Sequence, residues 1–416
     1  MQKLLLKNIK QLIGVYENAP SRLEGKAMRQ IPAIDNAWLA IEDGKFADWG
    51  SMQDFPGISD WKDLEIIDCA GKLVLPSFVD SHTHIVYAGN REQEFVDRIN
   101  GLSYDEIFAR GGGILNSVER LRATTEDDLF EQSLTRFNEV ISLGTGAIEI
   151  KSGYGLDTES ELKMLRVIRR LRNLNSIPVK ATFLGAHAVP LEFKGDRQAY
   201  IKKLLNEMLP AIAEEKLADY IDIFCEKNYF DASETAQILD AGAKYGLVGK
   251  VHAEQMSHSN GIQSAVQHGA ISADHVEYCS DEDIEMLKGS KTMATILPGA
   301  AYFLALPLPP ARKMIDAGLG IAFASDYNPG SCPSGNMMQM MSMACVQYKL
   351  NPEEAFNAVT INTAYAMGLS GQAGAIVAGN AANFIVSKPI SSLGFLSYAF
   401  GSNHIEKVAV QGKFIN

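Results

Sequence analysis

Three shortages in this 416-residue sequence narrow the field before any motif is read. Long apolar runs are missing. None approaches the roughly 18 residues that span a bilayer, so no membrane helix is expected. Lys7 and Lys10 interrupt the first apolar stretch and no A-x-A-like cleavage site follows, so that end reads as mature protein and not as a signal peptide. Positive charge is also short. Lys and Arg number 38 against 50 Asp and Glu, a formal net charge of −12. Coating nucleic acid or an anionic membrane needs the opposite balance, so neither is an expected partner. An anionic small molecule stays open, because one local Arg can outweigh a global charge. Cysteine is scarce as well. Cys69, Cys225, Cys279, Cys332 and Cys345 are widely spaced, odd in number and without a C-x-x-C. They make neither a disulfide framework nor a zinc knuckle, and a reducing cytoplasm is the natural setting.

What is present alternates. The first 70 residues read as short strands and turns, with AWLAIEDGKFADWG as a hairpin about a D-G turn. The last 40 look similar, with ANFIVSK and IEKVAVQGKFIN as strands and a Q-G-K turn. Between them, short apolar strands precede longer stretches of helical period, such as ESELKMLRVIRRLRNL. The strands are expected at 76–83, 144–151, 179–186, 219–225, 247–252, 271–275, 292–297 and 320–325. Eight strands alternating with helices is the pattern of an α/β fold of the (β/α)8 barrel type. The expected division is a barrel over 71–375 and a small β-sandwich-like domain built from 1–70 and 376–416.

Active sites of such barrels sit at the C-terminal ends of the strands, and the chemistry-bearing residues cluster there. His82 and His84 end the first strand in VLPSFVDSHTHI and, at i and i+2, face the same side. His252 ends KVHAEQ, His275 ends ISADHVEY and Asp326 ends IAFASDYNPG. One such histidine is more often a hydrogen-bonded structural residue. Four histidines and an aspartate converging on one barrel face are hard to explain that way. Imidazoles with a carboxylate suit Zn²⁺ or iron better than Mg²⁺ or Ca²⁺, which take oxygen ligands. The triple glycine Gly111–Gly113 lacks the G-K-[ST] ending of a phosphate loop and is rejected as one. The Met-rich NMMQMMSMACVQY reads as a buried helix, and His258, His268 and His404 read as structural or surface residues.

His82-Thr83-His84, His252, His275 and Asp326, in this strand order, resemble the amidohydrolase superfamily, and the paired β ends resemble its companion domain. Binuclear members carry a bridging Lys on strand four; YIDIFCEK has none inside it, so one metal ion is expected. AGNREQEF, ARGGGILNSV, IEIKSGYGLD, FLGAHAVP and SDYNPGSCP narrow the resemblance to one branch. That branch opens 4-imidazolone-5-propanoate to N-formimidoyl-L-glutamate in histidine breakdown, by attack of metal-bound hydroxide on the cyclic amide. The resemblance implies one Zn²⁺ or Fe²⁺/Fe³⁺ per chain, held by His82, His84, His252 and Asp326, and a homodimer. It implies substrate contacts from Arg91, Tyr154 and His187, contacts at the reacting end from Asn328, Gly330 and Ser331, and a further reach from Tyr104. A guanidinium suits the propanoate carboxylate, and Arg91 lies just past the metal strand. Some relatives carry Glu three residues after the strand-five His, where this chain has Gln255. Gln255 cannot shuttle a proton, so it is taken as a substrate contact. Proton transfer falls to Asp326 helped by His275, and Glu254 could serve only if its loop turned it inward. Two rivals share the metal set: a purine or pyrimidine deaminase, which has less use for Arg91, and a non-catalytic barrel that binds metal and ligand.

Overall fold

Short buried strands joined by amphipathic helices close into a barrel in chain order. The computed structural model describes residues 3–102, 106 and 112–415. Its barrel strands are Phe78–Asp80, Thr145–Lys151, Val179–Ala186, Tyr220–Cys225, Val248–Ala253, Ser272–His275, Met293–Ile296 and Ile321–Phe323. Each pairs in parallel with the next. The last strand returns to the first: Asp326 N–H donates to His82 O at 3.0 Å and His84 N–H to Tyr327 O at 2.9 Å. All eight lie within a few residues of the sequence expectation, because fully buried parallel strands read as short apolar runs.

The helices begin where side chains satisfy their free N–H groups. Asp157 accepts from Ser160 N–H at the start of Thr158–Arg172, and Asp231 with Glu234 forms a capping box at the start of Ala232–Lys244. The Met-rich segment is the helix Met337–Val346, with Met337, Met338, Met340 and Met341 buried in the core as expected. Among the described residues, no helix is long and apolar enough to cross a membrane.

A second sheet joins both ends of the chain. In order it runs Lys413–Phe414, Ile405–Val410, Phe384–Pro389, Lys72–Pro76, Lys3–Ile13, Ala33–Glu42, Lys45–Ser51, with Leu64–Asp68 added alongside Lys3–Ile13. Its two tight hairpins are those the sequence signals. Asp43-Gly44 and Gln411-Gly412 both take positive φ, as a two-residue turn between twisted strands requires. The sandwich-like character comes from one sheet curling on itself. Phe46 and Phe384 have three strands between them in the order, yet their ring centroids are 6.1 Å apart. They close over Leu6, Ile9 and Leu12.

Candidate active site

Strand alternation and the parallel register deliver the site. His252 lies beside Asp274 in register, one residue before His275. His82 and His84 leave the first strand at its C-terminal end. The ring nitrogens of His82, His84 and His252 lie within 4.8 Å of one another, and so do ligand atoms of His82, His275 and Asp326. Asp326 Oδ1 is 3.6 Å from His82 Nε2 and 3.5 Å from His84 Nε2. All five side chains are buried.

Each inner histidine is backed by a carboxylate. His82 Nδ1 hydrogen-bonds Asp274 Oδ2 at 2.7 Å, and His252 Nδ1 lies 3.0 Å from Asp222 Oδ2. His82 Nε2 is then left buried with no hydrogen-bond partner among the described residues, an arrangement that is costly unless something else takes the lone pair. Burial, helped by neighbouring cations and imidazoles, holds His82 and His84 well below the usual histidine pKa, so both rings are neutral. Neutral imidazoles whose far ring nitrogens face Asp274 and Asp222, converging with Asp326, fit a zinc or iron ion.

Beneath the histidines lies a charged layer that sequence reading missed. Lys151, Glu149, Asp222, Asp274 and Lys250 are all fully or almost fully buried inside the barrel. Burial works to lower the Lys151 pKa, but Asp222, Glu149 and Asp274 more than offset it and hold the ammonium above its ordinary value. Burial alone would raise Asp222; His252 and Lys151 keep it well below the carboxylate range. Both buried lysines are thus engaged by carboxylates, Lys250 with Asp274 at 3.6 Å. The signal was available: inward positions of barrel strands, at period two, carried charged residues.

Three strand ends are strained. Glu254, His275, Val276 and Asp326 all have positive φ, uncommon for residues with a Cβ. Such conformations concentrate where a side chain must be aimed. At the eighth strand the turn after Asp326 is braced by its own side chains. Asn328 Oδ1 accepts from the N–H groups of Gly330 and Ser331 at 2.7 and 2.8 Å, and Ser331 Oγ donates to Asp326 Oδ2 at 3.0 Å.

A cavity of about 440 Å³ opens above the histidines. His84, Arg91, Tyr154, His187, His252, Gln255, His275, Asp326, Asn328, Gly330 and Ser331 all line it. His82 lies beneath its floor, and Tyr104 falls outside the described residues. Tyr154 is presented by a loop that Glu161 holds from the following helix, accepting from the N–H groups of Gly153, Gly155 and Leu156. His187 Nδ1 donates to Gly153 O at 3.0 Å, and burial followed by His252 pushes its pKa down to about 3. Its Nε2 is therefore an acceptor. Arg91 is not free: Nε and Nη2 donate to Glu94 Oε2 at 2.9 and 2.6 Å. Glu94 aims the guanidinium, whose Nη1 lies against Gly330. A second guanidinium, Arg98, lines the same cavity and donates to Gly330 O at 2.9 Å.

Glu254 points away from this chemistry. Its carboxylate accepts from Gly261 N–H at 2.8 Å and Ile262 N–H at 2.9 Å, capping the helix Gly261–Gln267. Gln255 faces the cavity instead. His275 Nδ1 lies 3.6 Å from Glu277 Oε1, a buried carboxylate with no hydrogen-bond partner among the described residues, which the sequence reading passed over. Burial opposes charge on His275, but Glu277, Asp326 and Asp274 raise its pKa above the ordinary value. His258 and His268 pair with Asp283 and Asp240 away from the cavity, and His404 bonds Ala399 O.

Comparison with known proteins identifies the family and the fold. The sequence pattern of the amidohydrolase family matches residues 73–415. An imidazolonepropionase of Christiangramia forsetii is 54% identical over 412 residues, covering 99% of this chain and 100% of its own length. One from Caldanaerobacter subterraneus subsp. tengcongensis is 40% identical over 405 residues, covering 97% and 96%. In fold, the chain resembles an Escherichia coli guanine deaminase (TM-score 0.73, 15% identity, 100% and 99% covered). It also resembles a zinc-bound adenosine deaminase from Xanthomonas campestris (TM-score 0.71, 13% identity, 99% and 92% covered). Matched from end to end by such relatives, and over most of its length by the family pattern, the chain belongs to the amidohydrolase family, in its imidazolonepropionase branch.

Proposed function

We propose that the chain hydrolyses 4-imidazolone-5-propanoate to N-formimidoyl-L-glutamate, with His82, His84, His252 and Asp326 holding one zinc or iron ion. A bound ion there supplies an activated water and polarises a carbonyl. The observation that carries the reading is the pairing, in one cavity, of this ligand cluster with a guanidinium aimed by Glu94. Arg91 takes the propanoate carboxylate and fixes the ring over the ligand cluster. His275, steadied by Glu277, donates to the ring carbonyl oxygen as negative charge develops there. Asp326, oriented by Ser331, accepts the proton of the attacking water and returns it to the ring nitrogen as the C–N bond breaks. Tyr154, His187 and Gln255 contact the ring, Tyr104 reaches the substrate, and Asn328 and Gly330 shape the reacting end.

The same proposal takes in a homodimer in the cytoplasm with no nucleic-acid partner. It also takes in a division of the chain into 1–70 with 376–416 against 71–375. The test is to follow loss of imidazolone absorbance with zinc- or iron-loaded protein and to identify the product. Formimidoylglutamate supports the reading. Ammonia without ring opening points to a deaminase, and no turnover with loaded protein refutes hydrolysis.

A further inference from the structure

We propose that Lys151 is a positioning residue for the metal centre: its ammonium ties Asp222 to Asp274, and those two carboxylates set the rings of His252 and His82. The inference rests on the ligand assignment proposed above. Lys151 ends the second barrel strand with its side chain 0% exposed. Its Nζ lies 2.8 Å from Asp222 Oδ2, 2.9 Å from Glu149 Oε1 and 3.9 Å from Asp274 Oδ2. The same Asp222 Oδ2 faces His252 Nδ1 at 3.0 Å, and the same Asp274 Oδ2 faces His82 Nδ1 at 2.7 Å. One cation thus shares an oxygen with each of two carboxylate–histidine pairs. Lys151, Asp222 and Asp274 come from strands two, four and six, the alternate-strand layering of such barrels.

The backbone of Lys151 adds a third tie. Its N–H donates to Thr83 O at 2.9 Å, between His82 and His84. A cation placed only to neutralise a buried acid needs one partner, and Glu149 would suffice. This one reaches across the barrel. Lys250 does not duplicate it: its ammonium meets Asp274 at 3.6 Å and the backbone oxygens of Ser81 and Ala366. Without Lys151, Asp222 would face His252 as an uncompensated buried carboxylate free to turn toward any remaining cation. The ring nitrogens facing the ion would then lose their fixed direction. Groups that hold a ligating histidine's far ring nitrogen typically carry about 10–100-fold in metal affinity.

The experiment measures zinc affinity by chelator competition and the visible spectrum of the cobalt-substituted protein. It compares wild type, Lys151→Met, Asp222→Asn and the double variant. Lys151→Met is expected to weaken zinc by about 10–100-fold and to shift the cobalt bands. The double variant should be within about threefold of the weaker single, because both changes break one unit. A merely structural Lys151 would lower thermal stability but leave the cobalt spectrum alone. Zinc affinity within twofold of wild type with an unchanged spectrum, or losses that multiply in the double variant, overturns the proposal. Should Lys151→Met fail to fold, Asp222→Asn and Asp274→Asn are combined instead. Losses that multiply there overturn the coupling; losses that do not multiply support it. Wild type that binds no metal sinks the ligand assignment itself, a different result from metal bound normally by the variants.

Discussion

Gly330→Ala should separate substrate grip from stability. A Cβ built on Gly330 would stand 2.3 Å from Arg91 Nη1 and 2.9 Å from its Cζ. Ordinary contact is about 3.5 Å, so the guanidinium must retreat by roughly 1 Å. The backbone resists nothing, because Gly330 is not among the residues with positive φ. Gly330 is buried, but the displaced group is the far end of a long side chain, so folding should lose only about 1 kcal/mol. Substrate recognition is different. A displaced charge-assisted bond to the propanoate costs about 1.5–3 kcal/mol, or roughly 10–150-fold in kcat/KM. An imidazolone without the acid tail has nothing for Arg91 to hold, so its kcat/KM should change less than about threefold. The assay measures kcat/KM for both compounds, wild type against variant, with a urea melt beside it. Because Gly330 also shapes the reacting end, Arg91→Met is measured beside it, and equal losses on both compounds in both variants would refute the role given to Arg91.

Three further changes probe the machinery. His275→Ala should keep its metal by elemental analysis and lose about 10²–10⁴-fold in kcat; loss of the metal would make His275 a ligand. Glu277→Gln should lower kcat by roughly tenfold with zinc affinity unchanged, and an unaltered kcat would show that the carboxylate does not steady His275. Glu254→Gln should leave kcat within about threefold while lowering stability by about 1 kcal/mol, because its carboxylate caps a helix; a loss of 10² or more in kcat would make it a base after all.

The barrel was legible because its strands are buried on both faces and read as short apolar runs, and because Asp43-Gly44 and Gln411-Gly412 announce their turns. The ligand-type residues were legible because they all sit at strand ends, where few other histidines occur. The curl of the terminal sheet was not, since Lys72–Pro76 pairs with Phe384–Pro389 some 300 residues later, and nothing local encodes that. Nor was the layer beneath the histidines. Lys151 ends its strand and Asp222 lies inside another, so the charges at these inward positions are visible in the sequence but their partners are not, and only the closed barrel brings the two together. Arg91 reads as the carboxylate's partner, and the structure adds that Glu94, one helical turn on, claims two of its donors. Asn328 and Ser331 read as substrate contacts at the reacting end, and the structure adds that their side chains brace the turn that aims Asp326.

Stripping the metal with a chelator and titrating zinc or iron back, while following imidazolone loss and formimidoylglutamate gain, is the most direct test of the assigned chemistry. Activity should vanish in the stripped protein and return in proportion to metal, reaching its plateau at about one ion per chain, as a single site of three histidines and one carboxylate requires. Full turnover in protein shown to be metal-free, or a plateau at two ions per chain, would contradict the single-ion hydrolytic site.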